Sequence, residues 1–114
     1  MTTREDKITQ NIALFQDEAS CIKVLNMLSL LSNKARLQTL CLLKEGEYNV
    51  TEMIQAIGCK PSIMSQHIKL LSLAGYIKGR RQEKNIYYSI VDTKIVNLLN
   101  FLQVQYIKGN GEEI

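Results

Sequence analysis

Residues 50–77 read VTEMIQAIGCKPSIMSQHIKLLSLAGYI, and this stretch decides the fold. Val50, Met53, Ile54 and Ile57 recur at helical spacing, which predicts a short helix over 51–57. Gly58-Cys59-Lys60 is a tight turn, and Pro61 stands where the first residue of a helix tolerates a missing N–H. A second helix follows over 62–74 and stops at Gly75. Two short helices joined by a turn of about three residues containing glycine make a helix-turn-helix over 51–74.

The second helix divides into two faces. Met64, Ile68 and Leu71 fall at i, i+4, i+7 and belong to the core, whereas Ser62, Ser65, Gln66 and Lys69 fall on another face. Solvated helix faces usually carry long charged side chains. This one is short and rich in hydrogen-bonding groups, as contact with base edges and phosphates in a major groove requires.

Downstream, residues 76–91 change character. Ile77, Ile86, Tyr87, Tyr88, Ile90 and Val91 favour strands around a polar turn, Gln82 to Asn85, so a two-stranded hairpin is expected, with Ile86, Tyr88 and Ile90 on one face. Arg80, Arg81 and Lys84 lie near its tip. Such a wing can lay positive charge along a nucleic-acid backbone. From Lys60 to Lys84 there are six cations and one acid, a local +5 in a chain whose net charge is +3, so the remainder carries −2. A basic block on a slightly acidic body is the expected footprint of a nucleic-acid surface.

Upstream, the pattern is helical throughout. Ile8, Ile12 and Phe15 mark a helix over about 5–15; Asp17 caps a second, with Ile22, Leu25, Leu28 and Leu31 on one stripe; Ser32-Asn33 breaks it. A helix over 34–44 shows Leu37, Leu40 and Cys41 on one side, and Gly46 ends it. A final helix over about 92–108 carries Ile95, Leu98, Leu99, Leu102 and Tyr106 on one stripe, with Phe101 and Val104 beside it. A terminal helix apolar more than halfway round needs cover, which a second copy of the chain would supply. The expected fold is therefore a single domain, mainly α with a small β-hairpin, in the order α-α-α-α-α-β-β-α.

With 114 residues, 46% of them hydrophobic, the chain can build one core. No apolar run approaches the roughly 20 residues needed to cross a bilayer, and the polar start MTTREDKITQNIALF is no signal peptide, so a cytoplasmic protein without a membrane partner is expected. Three cysteines, Cys21, Cys41 and Cys59, form no CxxC pair, and a lone His67 cannot by itself make a metal site. No glycine-rich phosphate loop and no nucleophile–base pair is present; neither an enzyme nor a cofactor is implied.

The stretches LLSNKARLQTLCLL (30–43), IGCKPSIMSQHIKLLSLAGYI (57–77) and RRQEKNIYYSI (80–90) resemble the arsenic-repressor (ArsR/SmtB) family of winged helix-turn-helix regulators, with the likeness running from about Cys21 to Lys108. The resemblance implies a homodimeric repressor joined by its terminal helices, about 5–31 and 92–108, bound to a pseudo-palindromic double-stranded DNA operator. It maps the family's recognition motif onto Ser62, Ser65, Gln66 and His67, the first three as DNA contacts and the histidine in a structural hydrogen-bonding role near the DNA face. With Lys60, Lys69, Arg80, Arg81 and Lys84 these form the expected DNA-binding set. The chain departs from the family at the helix entrance, where Lys60 and Pro61 replace a small cap and a polar residue.

By the same resemblance, metal-sensing members carry cysteine pairs where this chain has Tyr48, Asn49, Val50 and Thr51, or His and Asp ligands on the last helix, where it has Asp92 but no histidine. The chain stands closest to the branch that senses oxidants or reactive sulfur through two cysteines. Cys41 in TLCLLKEGE matches the first, whereas Ile107, after Tyr106, occupies the place of the second. Three readings of Cys41 stay open: a buried small apolar residue on the stripe of Leu37 and Leu40, a one-thiol sensor, or a partner for Cys21. Cys59 reads as core packing. The alternatives to an effector-released repressor are a repressor that needs no effector and a winged helix used only for protein contact.

Overall fold

The computed structural model describes residues 3–6 and 16–107. The helix expected over about 5–15 lies for the most part outside the described residues, as does Lys108. Seven further elements and a minimal strand follow in the order α1 (Glu18–Leu31), α2 (Lys34–Glu45), β1 (Tyr48–Asn49), α3 (Val50–Ile57), α4 (Pro61–Leu73), β2 (Ile77–Gln82), β3 (Asn85–Ile90) and α5 (Thr93–Tyr106). The chain divides into two compact units between Asn33 and Lys34, at the break marked by Ser32-Asn33.

In the first unit, the Asp17 carboxylate accepts from the backbone N–H of Ser20 (3.2 Å) and from its hydroxyl (2.8 Å), which opens α1 and holds the carboxyl below its ordinary range. At the other end the Ser32 N–H donates to the Leu28 carbonyl (3.0 Å), closing the last turn. No residue of α1 is buried, and Ile22, Leu25 and Leu28 are each at least half exposed.

The second unit holds the core. α2 packs on α3 and β3, α3 on α4, α4 on β2, and α5 on β3. Leu40, Met53, Met64, Leu71 and Ile95 are fully enclosed, joined by Leu43, Ile68, Ile77 and Leu99. Truncating one of the enclosed leucines to alanine would cost about 2–5 kcal/mol. The inward residues of α3 and α4 are those that the helical spacing selected, with His67 added on α4.

Two expectations change. The wing is a three-stranded antiparallel sheet in the order β1-β3-β2, because Tyr48 and Asn49 pair with Tyr88 and Tyr87. The turn falls where expected: Gln82 pairs with Asn85, leaving Glu83 and Lys84 as a two-residue loop, with Glu83 at φ 58. Cys41 does not join the core. The inward stripe of α2 is Thr39, Leu40 and Leu43, whereas Lys34, Gln38, Cys41 and Glu45, at i, i+4, i+7, i+11, form its exposed stripe. The reading of Cys41 as a buried apolar residue therefore fails in this chain.

Candidate nucleic-acid interface

The interface begins at Asn49. Its side chain accepts from the Glu52 N–H (2.9 Å), and the Glu52 carboxylate accepts from the Asn49 N–H (2.9 Å), a reciprocal cap that fixes where α3 starts. The helix ends at Gly58, whose φ of 83 only glycine adopts cheaply and whose N–H donates to the Ile54 carbonyl (2.7 Å). Lys60, extended at φ −68 and ψ 149, then turns the chain into α4 with no side-chain cap, and Pro61 is the first helical residue. The Lys60 carbonyl accepts from both Ile63 (3.1 Å) and Met64 (3.0 Å), so the entrance is held by backbone alone. Its uncapped end carries the partial positive charge that suits a phosphate.

On α4, Met64, Ile68 and Leu71 face inward, while Ser62, Ser65, Gln66 and Lys69 are exposed together, as expected. His67 is different. It is only 5% exposed and lies with Met64 and Leu71 on the inward stripe, so it is a core residue and not part of the exposed face. The Arg36 guanidinium lies 3.5 Å from its Nδ1. A guanidinium only donates, so Nδ1 accepts and the proton sits on Nε2, which is buried without a hydrogen-bond partner among the described residues. Burial, then the Arg36 charge, lowers the pKa of the ring, keeping it neutral.

The wing presents Arg81 in β2 and Lys84 in the turn, both exposed. Arg80 is exposed but engaged. Its Nε and Nη2 donate to the two carboxylate oxygens of Glu47 (3.2 and 2.9 Å), its Nη1 donates to Gln82 (2.9 Å), and the guanidinium lies 5.5 Å from the centre of the Tyr87 ring. This pairing holds the Glu47 carboxyl below its ordinary range and raises the Arg80 pKa. Arg80 therefore fastens the loop before β1 to β2 of the wing. Glu47 carried no local signal in the sequence. Ile63, also unmarked, is 39% exposed on α4 between Ser62 and the turn that carries Gln66.

All three cysteines are free thiols; Cys41 is exposed, and Cys21 and Cys59 are half-buried. Among the described residues no group of three or more His, Cys, Asp or Glu could hold a metal ion, and no helix is long and apolar enough to cross a membrane.

Comparison with known proteins agrees with this geometry. Residues 33–78 match the family described as bacterial regulatory protein, arsR family. The biofilm growth-associated repressor of Xylella fastidiosa is 38% identical over 80 residues, 70% of each chain. The crystal structure of that organism's transcriptional repressor BigR superposes with a TM-score of 0.74 at 33% identity, covering 93% of this chain and 98% of that one. Reduced HlyU from Vibrio cholerae gives a TM-score of 0.74 at 27% identity, covering 78% and 94%. A homodimeric winged helix-turn-helix DNA-binding domain from Mycobacterium bovis gives 0.72 at 26%, covering 87% and 92%.

Proposed function

We propose a specific mode of action for this chain, which belongs to the ArsR family of bacterial regulatory proteins and is a DNA-binding transcriptional regulator: it represses by seating α4 in the major groove of a pseudo-palindromic operator. The observation that carries this reading is the division of α4, with Met64, Ile68 and Leu71 locked inward and Ser62, Ser65, Gln66 and Lys69 held outward on a rigid helix. Lys60 at the helix entrance and Arg81 and Lys84 on the wing supply phosphate contacts, and Arg80 joins them where Glu47 releases it.

The active form is a homodimer in the cytoplasm. α1 displays Ile22, Leu25 and Leu28, and α5 displays Phe101 (59% exposed), Val104 (76%) and Tyr106 (75%), more apolar surface than solvent-facing helices carry. The homodimeric relative from M. bovis supports the same assembly. Two copies of α4 then meet major grooves about one helical turn apart.

Release follows from an effector that favours a non-binding dimer. Exposed Cys41 is the residue that an oxidant or reactive sulfur species would reach first on α2. A second reading, repression without an effector, is favoured by Ile107, an isoleucine where the family's sulfur sensors have their second thiol.

Fluorescence anisotropy with the DNA upstream of the protein's own gene tests both. Tight, salt-sensitive binding to that duplex over a scrambled one is expected, weakened by polysulfide in the wild type and not in Cys41→Ser. Equal affinity for both duplexes refutes operator binding; binding indifferent to polysulfide refutes the sensing role and leaves the second reading.

A further inference from the structure

Ile63 is a large apolar side chain in the first turn of α4, beside exposed Pro61 and the polar Ser62, Ser65 and Gln66; farther along the helix Leu70 and Leu73 are exposed as well. Its neighbour Met64 is fully enclosed, whereas Ile63 remains 39% exposed. It sits three residues before Gln66, and side chains at i and i+3 are about 5–6 Å apart at Cβ. Successive base pairs are about 3.4 Å apart. Ile63 and Gln66 therefore address one base pair or two adjacent ones when the start of α4 enters a groove, the end of a recognition helix that reaches base edges.

The chemistry of that edge is selective. Only thymine offers an apolar group, its C5-methyl, to the major groove, while glutamine pairs bidentately with the N6 and N7 of adenine. An isoleucine forced against any other base would bury its branches against polar edge atoms. The same isoleucine against a thymine methyl removes apolar surface from water on both sides.

We propose that Ile63 is a specificity-determining residue that packs on a thymine C5-methyl in each half-site, beside an adenine or thymine-paired position read by Gln66. The inference rests on the operator-binding reading above and adds the base class that the exposed apolar residue selects.

The test uses the full-length protein and duplexes it selects from a random-sequence pool. Each thymine of the selected half-site is replaced in turn by deoxyuridine, which removes only the methyl, and binding is followed by anisotropy. Losing one buried methyl-sized contact is expected to weaken binding about fourfold per half-site, about fifteenfold when both are substituted. That loss is expected at one thymine position, to vanish in Ile63→Ala, and to persist in Ile63→Val. Because Ile63 lies at the surface, Ile63→Ala is expected to melt with the wild type, which separates a lost contact from a lost fold. If no thymine is sensitive, or if Ile63→Ala keeps the full sensitivity, the Ile63 assignment is overturned and operator binding stands. If selection enriches no sequence, operator binding itself falls, and the assignment with it.

Discussion

Gly79→Ala sets two opposed effects on one residue of the wing. Gly79 lies in β2 directly opposite Tyr88, and its φ is outside the left-handed region, so its backbone is one that alanine adopts readily. Judged by chain entropy alone, the substitution would stabilise the fold by about 0.4–1 kcal/mol. The space above Gly79 says otherwise. A Cβ there would lie 2.7 Å from Ile86 Cγ2 and 3.0 Å from Tyr88 Cε1, where carbon–carbon contacts need about 3.5–4.0 Å. Neither neighbour is the free end of a flexible chain: Ile86 Cγ2 hangs from a stiff β-branched carbon, and the Tyr88 ring covers the glycine from across the strand pair. Forcing a methyl into such packing costs about 1–3 kcal/mol. At the middle of both ranges the steric effect outweighs the entropic one, leaving a net loss of about 1 kcal/mol and a melting temperature lower by about 4–8 °C for each kcal/mol. Circular dichroism melting at fixed protein concentration measures the shift. Because β2 carries Arg80 and Arg81, the same variant is expected to lose DNA affinity across specific and scrambled duplexes alike. A Gly79→Ala protein that melts at or above the wild-type temperature would refute the argument that space, not backbone conformation, requires glycine here.

Other outcomes follow from the same geometry. Arg81→Gln and Lys84→Gln are each expected to reduce the slope of log affinity against log salt by about 0.9 per protomer, whereas Glu47→Gln, by releasing Arg80, should steepen it; salt titrations by anisotropy read all three. His67 is held neutral by burial, so its folded pKa lies below that of the unfolded chain, ~6.5. The folded state then binds fewer protons, and stability that is full above ~6.5 declines as pH falls through that value. Urea denaturation between pH 7.5 and 5 should show a decline that His67→Phe lacks, and parallel profiles for the two proteins would count against it. Glu83 at φ 58 is strained at the first position of the two-residue turn, so Glu83→Gly is expected to raise the melting temperature and, by removing the acid beside Arg81 and Lys84, to tighten DNA binding.

What the sequence made legible was local chemistry. Pro61 and Gly58 mark the turn because one lacks a donor and the other tolerates a positive φ, and both act within a few residues of themselves. The outward face of α4 was legible because helical geometry alone separates Ser62, Ser65, Gln66 and Lys69 from Met64, Ile68 and Leu71. His67, to which the resemblance gives a structural hydrogen-bonding role near the DNA face, was left out of the inward stripe: at i+3 from Met64 and i−4 from Leu71 it belongs there by helical geometry alone. Cys41 misled for the opposite reason. Its neighbours Leu37 and Leu40 are apolar, but Lys34, Gln38 and Glu45 share its stripe, and the polar side of α2 identifies it better than the apolar side does. β1, two residues long, is too short to show any alternation and exists only because β3 passes beside it. The Glu47–Arg80 pair joins residues 33 apart, and no periodicity connects them. Such long-range pairing decides how much of the basic wing is available. A count of cations credits the tip with Arg80, Arg81 and Lys84 equally, whereas the fold spends Arg80 on Glu47, Gln82 and the Tyr87 ring and leaves the other two exposed. The strength of the wing toward a phosphate backbone is therefore set as much by one acid in the loop before β1 as by the cations themselves, which is why Glu47→Gln and Arg81→Gln are expected to move the salt dependence in opposite directions.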